Sequence, residues 1–107
     1  MGGRSEDPDK AAGLYEWAAD GGDVNAQTQL GIIYLAGRGV ERDEQLAFQW
    51  FLKAADCEAP VVTAWAHLVV MYEQGIGTGK DDTKAQQFLD RIMDSKYYTA
   101  GALHMIG

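Results

Sequence analysis

Cysteine is almost absent from this sequence. Cys57 stands alone among 107 residues, so no disulfide can close within the chain. A single thiol could act as a nucleophile or redox sensor, but no basic residue between Ala54 and Val62 would stabilise its thiolate, and Cys57 reads as a small tolerated residue in a loop. Histidine is nearly as scarce: His67 and His104 are 37 residues apart, and no His or Cys pair has metal-ligand spacing, so no metal is expected. Basic residues are few as well. Nine Lys and Arg against sixteen Asp and Glu leave a net charge of −7, which repels polyanions and argues against nucleic acid as a partner. The same excess also keeps a small domain dispersed by mutual repulsion. No apolar run approaches the roughly 20 residues that span a bilayer, so no membrane partner is expected. No charged-then-apolar segment has the form of a secretory leader. Met1-Gly2-Gly3-Arg4 is compatible with an expression scar or the stump of a processed precursor, which leaves the compartment open between cytoplasmic and periplasmic or secreted. Finally, nothing alternates apolar with polar over the length of a strand, which argues against a sheet.

What the sequence does contain is itself, repeated. Ala26, Leu30, Tyr34, Gly37, Gly39, Asp43, Ala47 and Trp50 recur 38 residues later as Ala64, Leu68, Tyr72, Gly75, Gly77, Asp81, Ala85 and Phe88. Subtracting 36 maps Ala47, Trp50, Phe51, Ala54 and Ala55 onto Ala11, Leu14, Tyr15, Ala18 and Ala19, so a half-repeat precedes the first full one. Adding 38 to Ala64-x-x-x-Leu68-Val69 lands on Ala102-x-x-x-Ile106-Gly107, a third unit begun and cut short. The shift from 36 to 38 is local: Ala19 to Ala26 is seven residues and Ala55 to Ala64 is nine, so two residues are inserted between hairpins. A period of this length marks stacked helical hairpins, each burying its apolar face on its neighbours. The expected organisation is one domain, 1–107, comprising a half-repeat at 7–23, repeats at 24–59 and 60–97, and a truncated repeat at 98–107.

Within each unit the apolar residues fall at helical spacing. Ala26, Leu30, Ile33 and Tyr34 line one stripe, and Ala47, Trp50, Phe51 and Ala54 line another, matched by Ala85, Phe88, Leu89 and Ile92. Gly31 lies toward the first stripe, where its missing side chain would admit a neighbouring helix. Gly37 and Gly75 supply helix C-termini. Asp43 and Asp81 stand where N-caps belong, and Pro8 after Asp7 marks another helix start. Six helices are expected, at roughly 8–19, 24–36, 43–56, 61–74, 81–94 and from 98 on.

Catalytic chemistry finds little support. Gly75-Ile76-Gly77-Thr78-Gly79-Lys80-Asp81 superficially resembles a phosphate-binding loop, but Gln74 and Asp81 occupy the positions that need Gly and Ser or Thr, and Asp81 would repel phosphate. No cofactor is expected. The carboxylates at Asp20, Asp23, Asp81 and Asp82 sit at helix ends, where they have a structural reason. Ser5 and Ser95 lack an activating His or Lys. The chain therefore reads as a non-enzyme.

The pattern spelled by Ala26 through Ala55, Ala-x-x-x-Leu-Gly-x-x-Tyr-x-x-Gly-x-Gly-Val-x-x-Asp-x-x-x-Ala-x-x-Trp-Phe-x-x-Ala-Ala, resembles the Sel1-like repeat, a relative of the tetratricopeptide repeat. The next unit is similar but has Val69 for Gly, Thr78 for Val, Phe88-Leu89 for Trp-Phe and Ile92-Met93 for Ala-Ala, which implies looser or reshaped packing. The resemblance implies an all-α fold, a right-handed α-α superhelix of stacked antiparallel hairpins. It also implies, by analogy, an adaptor or scaffold whose first helices line a concave face. No Ser-x-x-Lys motif supports the hydrolysis or penicillin binding associated with some similar proteins.

On that face, opposite the packing stripe, lie Thr28, Gln29, Ile32 and Ala36 in one unit and Ala66, His67, Val70 and Gln74 in the next. Ile32 and Val70 are equivalent, and two readings stand: the floor of a peptide groove rimmed by Gln29, His67 and Gln74, or a helix buried on both sides by successive hairpins. Trp65 replaces Gln27 of the preceding unit and Trp17 stands where Lys53 and Arg91 stand, so the period explains neither; Trp65 joins the candidate contacts and Trp17 is read as a hot spot or an end cap. The leading function is capture of a protein or peptide. The alternatives are an immunity-type inhibitor that covers a partner enzyme with its acidic surface, and a structural fragment that forms a homo-oligomer through its open C-terminal end at Leu103, Met105 and Ile106.

Overall fold

The computed structural model describes residues 8–56 and 61–94, which form five helices: α1 (Pro8–Asp20), α2 (Val24–Ala36), α3 (Glu44–Ala55), α4 (Val62–Gln74) and α5 (Asp82–Asp94). The expected sixth helix, the candidate self-association residues Leu103, Met105 and Ile106, and Cys57 lie outside the described residues. No strand occurs among the described residues, and no helix there is long and apolar enough to cross a membrane. Each helix packs on the next, α1 on α2 through to α4 on α5, which makes the molecule an all-α stack of antiparallel hairpins.

Local chemistry sets the helix limits. Asp23, Asp43 and Asp81 accept hydrogen bonds from the amides of Ala26, Leu46 and Lys84 at 3.0–3.1 Å, each pairing an amide that a helix start leaves free. α4 differs, starting from Val61 without a side-chain cap, next to the two-residue insertion. At the other ends, Gly37 and Gly75 both adopt φ 70°, and the second glycine of each turn, Gly39 or Gly77, is also left-handed at φ 78° or 73°. The turns close identically. The amide of Asp43 donates to the carbonyl of Tyr34 at 2.9 Å, and that of Asp81 to Tyr72 at 2.8 Å.

The core alternates aromatic rings with small residues. Phe51 of α3 is fully buried, and a Cβ on Gly31 of α2 would lie 2.7 Å from its ring. On the α4 side, the same ring stacks on His67, with centroids 4.6 Å apart and planes 9° apart. A second aromatic column runs from Phe48 through Tyr72 to Phe88, with centroid distances of 5.3 and 6.1 Å, and ties α3, α4 and α5 together. The turn after α4 presses on the start of α3, where Gly77 lies against the Glu44 backbone and the Phe48 side chain. Tyr34 joins α2 to α1 by donating its hydroxyl to Glu16 at 3.0 Å.

Three predictions follow from this packing. Gly31→Leu places its Cβ 2.7 Å from the Phe51 ring, with the rest of the side chain beyond, and is expected to destabilise the protein by about 1–3 kcal/mol, whereas Gly13→Ala, at a helical site with open space around it, is expected to stabilise by about 0.5–1 kcal/mol; chemical denaturation measures both. Gly77→Ala combines a left-handed φ with a backbone clash, and should lower the denaturation midpoint more than Gly79→Ala, where nothing crowds the added carbon. Burial raises the phenol pKa of Tyr34 and of Tyr72 above 10.0, helped by Glu16 and then Asp43 for Tyr34 and by Asp81 for Tyr72. The neutral rings therefore support the fold fully below pH 10.0 and lose that support as pH rises through the raised values. Melting temperature should fall above that pH in the native protein, and fall less in Tyr34→Phe, Tyr72→Phe.

Candidate interaction surface

α2 and α4 are the first helices of their hairpins, and each shows one row of residues that the stack leaves uncovered or half covered. On α2 the row is Asn25, Gln29, Ile32 and Ala36; on α4 it is Thr63, His67, Val70 and Gln74, the same positions one period later. The spacing of four, three and four keeps each row on one side of its helix.

The expected contact residues divide on this geometry. Gln29, Ala36, Ala66, Val70 and Gln74 are exposed, and Ile32 and His67 are half-buried. Val70 is 47% exposed, whereas its equivalent Ile32 packs against the core. Both helices have a described helix on each side, α1 and α3 for α2 and α3 and α5 for α4, so equivalent repeat positions are covered to different extents.

Two candidates need correction. Thr28 is buried with its hydroxyl donating to the carbonyl of Val24, one turn back in α2, at 3.0 Å. Trp65 occupies the position of Gln27 and is likewise buried, part of the core with Phe51 and Leu68, and its indole N–H has no partner among the described residues. Neither side chain lies on the open row.

His67 is more than a rim residue. Its ring covers Phe51, and its Nδ1 lies 2.9 Å from the carbonyl of Thr63. A carbonyl only accepts, so Nδ1 carries the proton in this contact, and in the neutral ring Nε2 is an acceptor. The row therefore combines an apolar middle, Ile32 and Val70, with amide and imidazole groups beside it.

Sequence reasoning understated a second surface. On α1, Leu14 is 69% and Trp17 79% exposed. In the two later repeats the corresponding pair is an aromatic residue with a cation over its ring, Lys53 5.2 Å above Trp50 and Arg91 5.0 Å above Phe88. In α1 the cation is replaced by Trp17 and the aromatic by Leu14, and that double departure from the period is the signal in the sequence.

A cleft of about 620 Å³ between the start of α3 and the turn after α4 is lined by Arg42, Asp43, Glu44, Gly75 and Gly77 among others. Its glycines belong to the helix-ending turn, and Asp43 is already committed as an N-cap. Among the described residues no cluster of His, Cys, Asp and Glu could hold a metal ion.

Comparison with known proteins agrees with the repeat. A family model of the Sel1 repeat matches residues 1–23, 24–58 and 64–91. A Sel1 repeat protein from Oxalobacter formigenes is 30% identical with a TM-score of 0.75, over 80% of this chain and 35% of that one. A protective antigen present in uropathogenic Escherichia coli strains, which displays an SLR fold, is 33% identical with a TM-score of 0.76, over 87% of this chain and 20% of that one. This chain thus spans 35% and 20% of the lengths of those two relatives. No curated protein matches the sequence significantly. With its repeats, capped hairpins and glycine turns accounted for by one motif, the chain belongs to the Sel1 repeat family.

Proposed function

We propose that the chain is a non-enzymatic interaction module that holds a protein or peptide segment along the open row of α2 and α4. Sel1 repeats generally mediate protein–protein interaction, and Sel1 repeat proteins are typically non-enzymatic scaffolds. The observation that carries the assignment to this row is Val70, nearly half exposed in the middle of α4 and flanked by exposed Ala66 and Gln74. Ile32 extends the apolar strip to α2, and Gln29, His67 and Gln74 supply polar groups along it. An apolar centre with hydrogen-bonding edges suits a docked helix or extended peptide. In related superhelices this is the concave side.

A photo-crosslinking residue at position 70, with one at exposed Gln87 of α5 as control, identifies what docks on the row. The captured partner is then titrated against Val70→Glu. Because Val70 is exposed, stability should change by no more than about 0.5 kcal/mol, while affinity falls at least about tenfold, or 1.4 kcal/mol. Binding through an apolar strip should persist as salt rises from about 0.1 to 1 M, over which the screening length falls from about 10 to 3 Å. Equal crosslinking from both positions, or affinity that collapses with salt, would favour the charge-steered inhibitor instead.

A further inference from the structure

Charge is distributed unevenly between the two kinds of helix. α2 has no charged residue over its thirteen positions and α4 has only Glu73, whereas α5 alone carries Asp82, Lys84, Asp90, Arg91 and Asp94. Around the helix Glu73 falls about a quarter turn from the middle of the α4 row, outside Thr63, His67, Val70 and Gln74. The open row is therefore an uncharged surface on a chain whose net charge is −7. Its polar side chains differ in what they offer. The carboxamides of Asn25, Gln29 and Gln74 each carry donors and an acceptor, so they suit either kind of group. His67 is selective. With its ring held on Phe51 and the Nδ1 proton directed to the Thr63 carbonyl, Nε2 offers a lone pair alone. It is also open to solvent, because the fully buried side-chain nitrogens and oxygens without a partner, among the described residues, are the indole Nε1 atoms of Trp50 and Trp65.

We infer that the segment docked on the row is an uncharged peptide stretch that brings a neutral N–H or O–H donor to Nε2 of His67. This choice of occupant rests on the row being an interaction surface and specifies what that surface accepts. Two costs select it. A Lys, Arg, Asp or Glu side chain seated over Ile32 and Val70 loses its water and finds no countercharge on either row. A segment without a donor at His67 covers Nε2 and leaves the acceptor unpaired, so the bond it makes to water is lost and not replaced. The row extends about 16 Å along each helix, which matches about five residues of extended chain. The charged residues of the second helices lie outside that seat, so the preference for uncharged side chains is confined to it.

A phage-displayed library of random dodecapeptides, selected on the native chain and counter-selected on Val70→Glu, supplies probes for the row. Peptides retained by the native chain and lost by Val70→Glu are then scanned, each position changed singly to Lys and to Glu. Over about five consecutive positions both changes should weaken binding at least about tenfold, and outside them both should be tolerated. A second measurement uses the nitrogen-15-labelled His104→Gln chain, in which His67 is the only histidine. In mildly alkaline buffer, which favours neutral imidazole, the free chain should show a protonated Nδ1 and an unprotonated Nε2. A bound peptide should move the Nε2 resonance toward that of a hydrogen-bonded acceptor while Nδ1 keeps its proton. Seat positions that accept Lys but not Glu, an Nε2 protonated in the free chain, or an Nε2 resonance unmoved by a bound peptide would each overturn this assignment while leaving the row an interaction surface. A library that yields no peptide sensitive to Val70→Glu would overturn the row as an interaction surface, and the assignment with it.

Discussion

The Phe51 ring is the contact on which the rest of the described structure depends. It reaches α2 at Gly31 and α4 at His67, so one side chain sets the spacing of three consecutive helices. A Phe buried fully contributes about 1.5–3 kcal/mol in removal from water, and a stacked aromatic pair adds about 0.5–1.5 kcal/mol. Those gains require close approach, which the bare backbone at Gly31 permits. The helix-weakening effect of a mid-helix glycine, about 1 kcal/mol, is smaller than what the contact returns. Because His67 is half of that stack, it serves packing and the interaction row together, so its substitution would mix the two effects. Val70 carries the row without that ambiguity.

A stack of repeats makes position within the stack as important as residue identity. Ile32 and Val70 are equivalent in sequence and differ in exposure, as do Phe51 and Tyr15. In each pair one member is more deeply buried than the other. In a quasi-one-dimensional fold stability is the sum of units and of the interfaces between them. Equivalent positions of second helices therefore differ in character: α1 presents Leu14 and Trp17, whereas α3 offers a Trp50 ring shielded by Lys53.

The repeat made the architecture legible because its signals are local and occur twice. Asp43 and Asp81 cap helices, Gly37 and Gly75 end them, and Gly31 admits a neighbour, each for a reason confined to a few residues. The row was only partly legible. A helical wheel orders residues around an axis but does not say which flank is covered, so it puts Thr28 on the open side although Thr28 is buried, and a departure from the period marks Trp65 as a contact although it belongs to the core. The uncapped start of α4 was hidden for a related reason, since the insertion of two residues shows as a change of period without revealing that Val61 would replace an aspartate as the first cap.

Net charge supplies less functional information than its size suggests. Asp23, Asp43 and Asp81 are engaged as caps, at helix ends where a negative charge is stabilised by the backbone dipoles. Lys53 and Arg91 lie over aromatic rings, and their aliphatic stems can shield apolar surface while the charges stay in water. Part of the acidity is thus a product of building several capped helices in a short chain, and two of the cations serve the packing of second helices. Among the surface features not explained by that construction are exposed apolar side chains: Val70 on α4, Met93 on α5, and Leu14 with Trp17 on α1. Val70 and Trp17 are far apart in sequence and lie on helices of different type, one a first helix and the other a second. Occupying one of these surfaces does not require the residues of the other, so a substitution at Val70 and one at Trp17 can be read independently.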